Sequence, residues 1–180
     1  MAARLVRHHI LSVALVALAV PALGEPAKES AKPALQWISY GEALERAEKE
    51  NKHVLIDFYT NWCGWCKRMD AQTYTDSAVV NLLTRHFVIS KINAESARKF
   101  PVRDTESSGR ELAEEFGVRQ FPMTTFLKPD GGRIANLPGF HEAPKFAKVL
   151  TYVHEKRYLQ PPPGEKPAPS EPRTAPAPPD

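Results

Sequence analysis

Val54-Leu55-Ile56-Asp57-Phe58-Tyr59-Thr60-Asn61-Trp62-Cys63-Gly64-Trp65-Cys66-Lys67 decides how this chain folds. His53 to Tyr59 is a short, nearly continuous apolar run, which predicts a strand buried on both faces. The chain's two cysteines follow, and a helix is expected to start within their motif. Cys63 then sits where unpaired backbone N–H groups and the helix dipole favour negative charge. The thiolate is the attacking species in disulfide exchange, so Cys63 is the expected nucleophile. Cys66, one turn further on and expected to be more covered, is suited to resolve a mixed disulfide.

Other uses of two cysteines fit less well. A zinc site needs about four ligands, and His53, His86, His141 and His154 are scattered without paired spacing. A purely structural disulfide gains little from so short a loop. Two inert thiols suit an oxidising compartment poorly. No metal is therefore expected, and the cysteine pair itself would carry electrons.

Working outward, Ser39-Tyr40-Gly41-Glu42 has the form of a capping box, with Ala43, Leu44 and Ala47 at helical spacing up to about Asn51. Beyond the cysteines, Asp76 can cap a helical stretch carrying Val79, Val80, Leu82 and Leu83, and Phe87 to Ile92 reads as a second strand. Ser108-Gly109-Arg110-Glu111 opens a further helix with Leu112, Ala113 and Phe116 on one face, stopped at Gly117. Met123 to Leu127 and Arg133 to Leu137 form a hairpin around Pro129-Asp130-Gly131-Gly132. A last amphipathic helix is expected from about Pro144 to Tyr158, with Phe146, Val149, Leu150 and Val153 inward. The order α-β-α-β-α-β-β-α implies an α/β fold, a central mixed sheet flanked by helices on both faces.

The ends differ from this middle. Arg4 and Arg7 precede an apolar run from Ile10 to Val20, and Ala22-Leu23-Gly24 offers small residues for cleavage, so residues 1–24 read as a signal peptide. A membrane span needs roughly 20 apolar residues, and Pro21 closes this run too early. No later segment reads as a span, so the mature protein is expected to be soluble. Residues 25–34 read as a linker, 35–160 as the folded domain, and 161–180, with nine of the 17 prolines, as a disordered tail. Losing Arg4 and Arg7 brings the formal charge of +3 close to neutral, which gives no reason to expect nucleic-acid binding.

The stretch from Val54 to Lys67 resembles the active-site segment of the thioredoxin superfamily, and is close to exported thiol:disulfide interchange proteins. Phe116-Gly117-Val118-Arg119-Gln120-Phe121-Pro122 is similar to the family's later segment, which ends in a cis-proline. The resemblance implies a thioredoxin-like fold over about residues 35–158. It assigns Cys63 as nucleophile, Cys66 as resolving cysteine and Asp57 as the buried carboxylate that moves protons for it. It pairs Lys91 with Asp57, and it makes Phe121, Pro122 and Gly139 substrate-facing. Trp62 and Trp65, expected to be exposed beside Cys63 with Gly64 between the cysteines, add a flat apolar rim for docking partners. Without the family, Asp57 is either a costly buried acid or a strand-end residue that reaches water. Lys91 is equally well a solvated strand lysine, and Trp62 could be core.

Two departures stand out. Trp65 stands where thioredoxins have proline, and the connection from Asn93 to Pro122 is longer, with an extra stretch from about Glu95 to Ser107. The potentials of such dithiols span roughly −270 to −120 mV, so direction stays open. The expected activity is that of an exported protein-disulfide reductase or interchange protein, monomeric, acting on client proteins with disulfides. No cofactor beyond the Cys63–Cys66 pair is implied, and a membrane dithiol donor would resupply electrons. An oxidase or isomerase using the same residues remains open, as does a client-binding module without catalysis. The chain ends Ala177-Pro178-Pro179-Asp180, with no ER-retention signal, which favours a bacterial periplasm.

Overall fold

Ser39 begins the first helix, α1 (Tyr40–Glu50), by accepting the Glu42 amide, and Asn51 ends it in the left-handed region. These elements belong to a computed structural model that describes residues 34–160. The expected signal peptide, the linker up to residue 33 and the proline-rich tail lie outside the described residues. After α1 come β1 (His53–Tyr59), α2 (Gly64–Gln72), α3 (Ser77–His86) and β2 (Phe87–Asn93). They are followed by β3 (Lys99–Val102), β4 (Thr105–Ser108), α4 (Gly109–Glu115), β5 (Met123–Leu127), β6 (Arg133–Pro138) and α5 (Ala143–His154).

The main sheet runs β2-β1-β5-β6. β1 and β2 are parallel, as their helical crossover requires; β5 is antiparallel to β1, and β6 is antiparallel to β5. The two-residue period of β1 divides the core. Val54, Ile56 and Phe58 pack with Leu44 and Ala47 of α1, Leu112 of α4 and Phe116 at the α4 C-cap. Leu55 points the other way, to Met69, Val79, Leu83, Phe146 and Leu150 of α2, α3 and α5. Phe58, Phe126 and Phe146 are fully buried, and each such side chain contributes up to roughly 3 kcal/mol.

This parity also places polar residues. Asp57 shares the face of Leu55, and its register partners are Lys91 on β2 and Thr124 on β5. Lys91 follows Ile89 by two, and Thr124 precedes Phe126 by two, so both belong to that same face. A row of three polar side chains therefore crosses the sheet under α2.

Two features differ from the sequence-based expectation. The last helix stops at His154 rather than Tyr158; the chain turns through Lys156 at φ 55° into a 3-10 turn, Arg157–Leu159. That turn lets the Tyr158 hydroxyl meet the buried His53 ring, 2.9 Å from Nε2. The extra stretch after β2 is not a plain loop, because β3 and β4 pair as an antiparallel hairpin. Gly41 lets that hairpin approach α1: a β-carbon there would lie 2.5 Å from the Pro101 carbonyl oxygen. Ser108 then closes the hairpin with a complete capping box to Glu111.

Candidate active site

β1 and β2 end at the same edge of the sheet, with Tyr59 opposite Asn93. Cys63 lies just beyond that edge as the N-cap of α2, and it is joined to Cys66 by a disulfide. The Cys63 Sγ accepts the Cys66 backbone N–H at 3.0 Å, so the helix N-terminus addresses this sulfur directly. Cys66 is more covered by a margin too small to separate the two, since Cys63 is 4% and Cys66 3% exposed. The disulfide holds both sulfurs in one short turn, and only their place in the helix distinguishes them.

Two aromatic pairs flank the disulfide. Trp62 is 67% and Trp65 55% exposed, so Trp62 is not core. The Trp62 ring meets Phe121 edge-on at 5.9 Å, and its Nε1 donates to Glu95 Oε1 at 2.9 Å. Trp65 packs on Phe140 at 5.5 Å, with the Arg68 guanidinium 5.2 Å from both rings. The Phe121–Pro122 peptide bond is cis. Gly139, at φ 83°, donates its N–H to the Pro122 carbonyl at 2.8 Å, which ties the start of the last segment to the proline. Gly64 is exposed between the cysteines.

Beneath the disulfide helix, Asp57 is 2% exposed and does not reach water. Lys91 is only partly exposed; its Nζ lies 3.3 Å from Asp57 Oδ2 and also pairs closely with Asp70. Three rings surround that ammonium: Trp37 at 5.1 Å, Tyr59 at 5.4 Å and Tyr74 at 5.6 Å. Burial pushes the Asp57 carboxyl up to about 6, against the downward pull of Lys91 and with a further upward push from Asp70. Burial, then the charge of Asp57, also holds the Tyr74 phenol well above its ordinary value. Asp57 Oδ1, the Tyr74 hydroxyl and Thr124 Oγ1 are buried, and none makes a hydrogen bond. Asp57 and Tyr74 perturb each other's ionisation, yet no hydrogen bond of ordinary geometry joins them.

All the residues expected from the sequence thus fall in or beside one region. The sequence argument missed Asp70, Tyr74, Trp37, Glu95, Arg68 and Phe140. Asp70 had a legible signal, since it follows Cys66 by four on the same helix. Trp37 and Glu95 had none, because their contacts cross loops. Among the described residues, no group of three His, Cys, Asp or Glu side chains forms a metal site.

A mixed sheet between helical layers, with a cysteine pair at a helix N-terminus beyond the end of a parallel strand, is the thioredoxin fold. The chain belongs to the thioredoxin-like domain family, whose pattern matches residues 40–154. It is similar to the disulfide bond reductase DsbH of Chlamydia pneumoniae, 27% identical over 104 residues, covering 57% of this chain and 62% of that protein. It is also similar to a protein disulfide-isomerase of Ricinus communis, 22% identical, covering 78% of this chain and 26% of that protein. A solved DsbH oxidoreductase superimposes with a TM-score of 0.55 at 25% identity, over 73% of this chain and 92% of the other. The chain therefore spans less than two thirds of the length of these curated relatives.

Proposed function

We propose that this protein is an exported thiol–disulfide oxidoreductase that reduces disulfides in client proteins. The observation that carries this reading is the Cys63–Cys66 disulfide at the start of α2, with the Cys66 N–H aimed at Cys63 Sγ. In the reduced protein that N–H and the helix dipole stabilise a thiolate at Cys63. The thiolate attacks one sulfur of a client disulfide; a mixed disulfide forms and the first client thiolate leaves. Cys66 gives its proton to Asp57 and attacks Cys63 Sγ, releasing the second client thiolate. Two electrons pass to the client, whose two thiolates then take protons from water, while Asp57 returns the Cys66 proton to solvent; the Cys63–Cys66 disulfide remains. An external dithiol, plausibly a membrane-embedded carrier, must then reduce it again.

Several features support the assigned roles. A buried carboxylate with its pKa near 6 is matched to accepting a thiol proton around neutral pH. Lys91 limits the cost of the charged form. Trp62, Gly64, Trp65, Phe121, Pro122 and Gly139 form the rim on which an extended client segment would lie, with aromatic faces supplying apolar contact. The name of the DsbH relative supports the reductive direction. Arg4, Arg7 and the apolar run to Val20 support export, and the similarity to a bacterial DsbH supports a bacterial periplasm as the destination. The deciding measurement is the reduction potential of the Cys63–Cys66 couple. A value near roughly −270 mV supports a reductase, and one near −120 mV makes the protein an oxidase.

A further inference from the structure

Among the described residues, Lys91 is the cation that compensates the buried Asp57, and what holds it there comes from several elements. β1 supplies Asp57 and the Tyr59 ring; α2 supplies Asp70; the turn after α2 supplies Tyr74. β5 contributes Thr124, which is uncharged. The remaining wall is Trp37, which stands before α1 and outside the residues that match the family pattern. The Trp37 ring lies nearest to the Lys91 Nζ of the three, and it meets Tyr74 edge-on at 5.0 Å. The segment is not a loose end, because Ile38 forms a parallel bridge to Ser90, its N–H bonding to the Ile89 carbonyl at 3.1 Å. Trp37 is thereby pinned beside β2, next to Lys91.

We propose that Trp37 is a positioning residue for thiol–disulfide exchange: its π face holds the Lys91 ammonium against Asp57 and so governs proton uptake from Cys66. The inference rests on the proton-accepting role of Asp57 proposed above. Lys91 has a competing partner, since Asp70 is half exposed and pairs with the same ammonium. A cation is drawn to an aromatic face, most strongly that of tryptophan. With the Trp37 face gone, the ammonium moves outward towards Asp70 and solvent. Asp57 then loses compensating charge and keeps its proton to higher pH.

The test uses the full chain, reduced, in single-turnover reaction with Ellman's reagent. Release of the second thionitrobenzoate reports attack by Cys66, and its rate is followed against pH. Trp37→Leu fills much of the space without a π face, and Trp37→Phe restores a face. Trp37→Met replaces the leucine variant if that one unfolds. The acid limb should move up by about half a pH unit in Trp37→Leu, return most of the way in Trp37→Phe, and show no added shift when Trp37→Leu is placed on Lys91→Met. An unmoved limb in Trp37→Leu, or equal shifts with leucine and phenylalanine, overturns the proposal and leaves Trp37 as packing. If Asp57→Asn moves the limb while Trp37→Leu does not, only the role of Trp37 falls. If Asp57→Asn leaves the limb in place, the proton-accepting role of Asp57 falls, and this inference falls with it.

Discussion

The Asp57 carboxylate and the Lys91 ammonium, 3.3 Å apart, occupy opposed positions on the parallel strands β1 and β2. One carboxylate oxygen faces that cation, while the other is buried without a hydrogen bond. The pair is thus only half compensated. A carboxylate in this state is costly to ionise, which suits the proton-accepting role proposed for it.

Asp57→Asn should slow the resolving step and flatten the acid limb of the pH–rate profile near pH 6. The same change should stabilise the fold at neutral pH. Asp57 binds its proton more tightly in the folded state, with a pKa of about 6, than in the unfolded chain at 3.8. Its contribution is therefore most favourable below the unfolded value and is lost as pH rises through the folded one. The gain from Asp57→Asn should approach about 3 kcal/mol above pH 7 and vanish near pH 4. Denaturant melts at several pH values check this, and a constant gain across pH would exclude ionisation as the cause.

Cys63→Ser should abolish exchange, and Cys66→Ser should accumulate mixed disulfides with client proteins. The basis is position alone, because exposure does not separate the two residues. Non-reducing gels of both variants purified from cells give the answer. Trapping by Cys63→Ser instead would reverse the roles.

Gly41→Ala should lower stability by roughly 1–3 kcal/mol, since the added methyl meets the Pro101 backbone of the β3–β4 hairpin. When residues 97–106 are replaced by a short Gly/Ser linker, the same substitution should become neutral. Thermal unfolding of the four combinations measures the coupling. The linker variant should also keep full activity on a small disulfide while losing severalfold on a trapped client. Equal client rates would make the hairpin a mere connection.

Trp65→Ala should raise KM for a protein client about tenfold with little change in kcat, because the Trp65–Phe140 surface is exposed beside the disulfide and outside the proton path. Reduction of Ellman's reagent should be affected much less. A fall in kcat with unchanged KM would point instead to a role in the chemical step.

The sequence by itself determined the elements of the main sheet, the helices that cover it and the cysteine pair. The apolar run of β1, the Ser39, Asp76 and Ser108 caps, and Gly117 at φ 66° are local signals, each acting within a few residues of where it is read. Cys63 at a helix start is local in the same way. Asp57 was legible as an anomaly in an apolar strand, but its burial was not, because only the packing of α2 over that face keeps water out. The tertiary structure decided what no spacing encodes. It brought Trp37, Asp70 and Tyr74 to one ammonium, Glu95 to Trp62, and Phe140 to Trp65. It also paired β3 with β4, whose Phe100 and Val102 are only partly buried. The apolar alternation there is too weak to announce a strand. Those contacts join residues far apart in the chain, and their energies come from burial and charge compensation that exist only once the sheet and both helical layers have assembled.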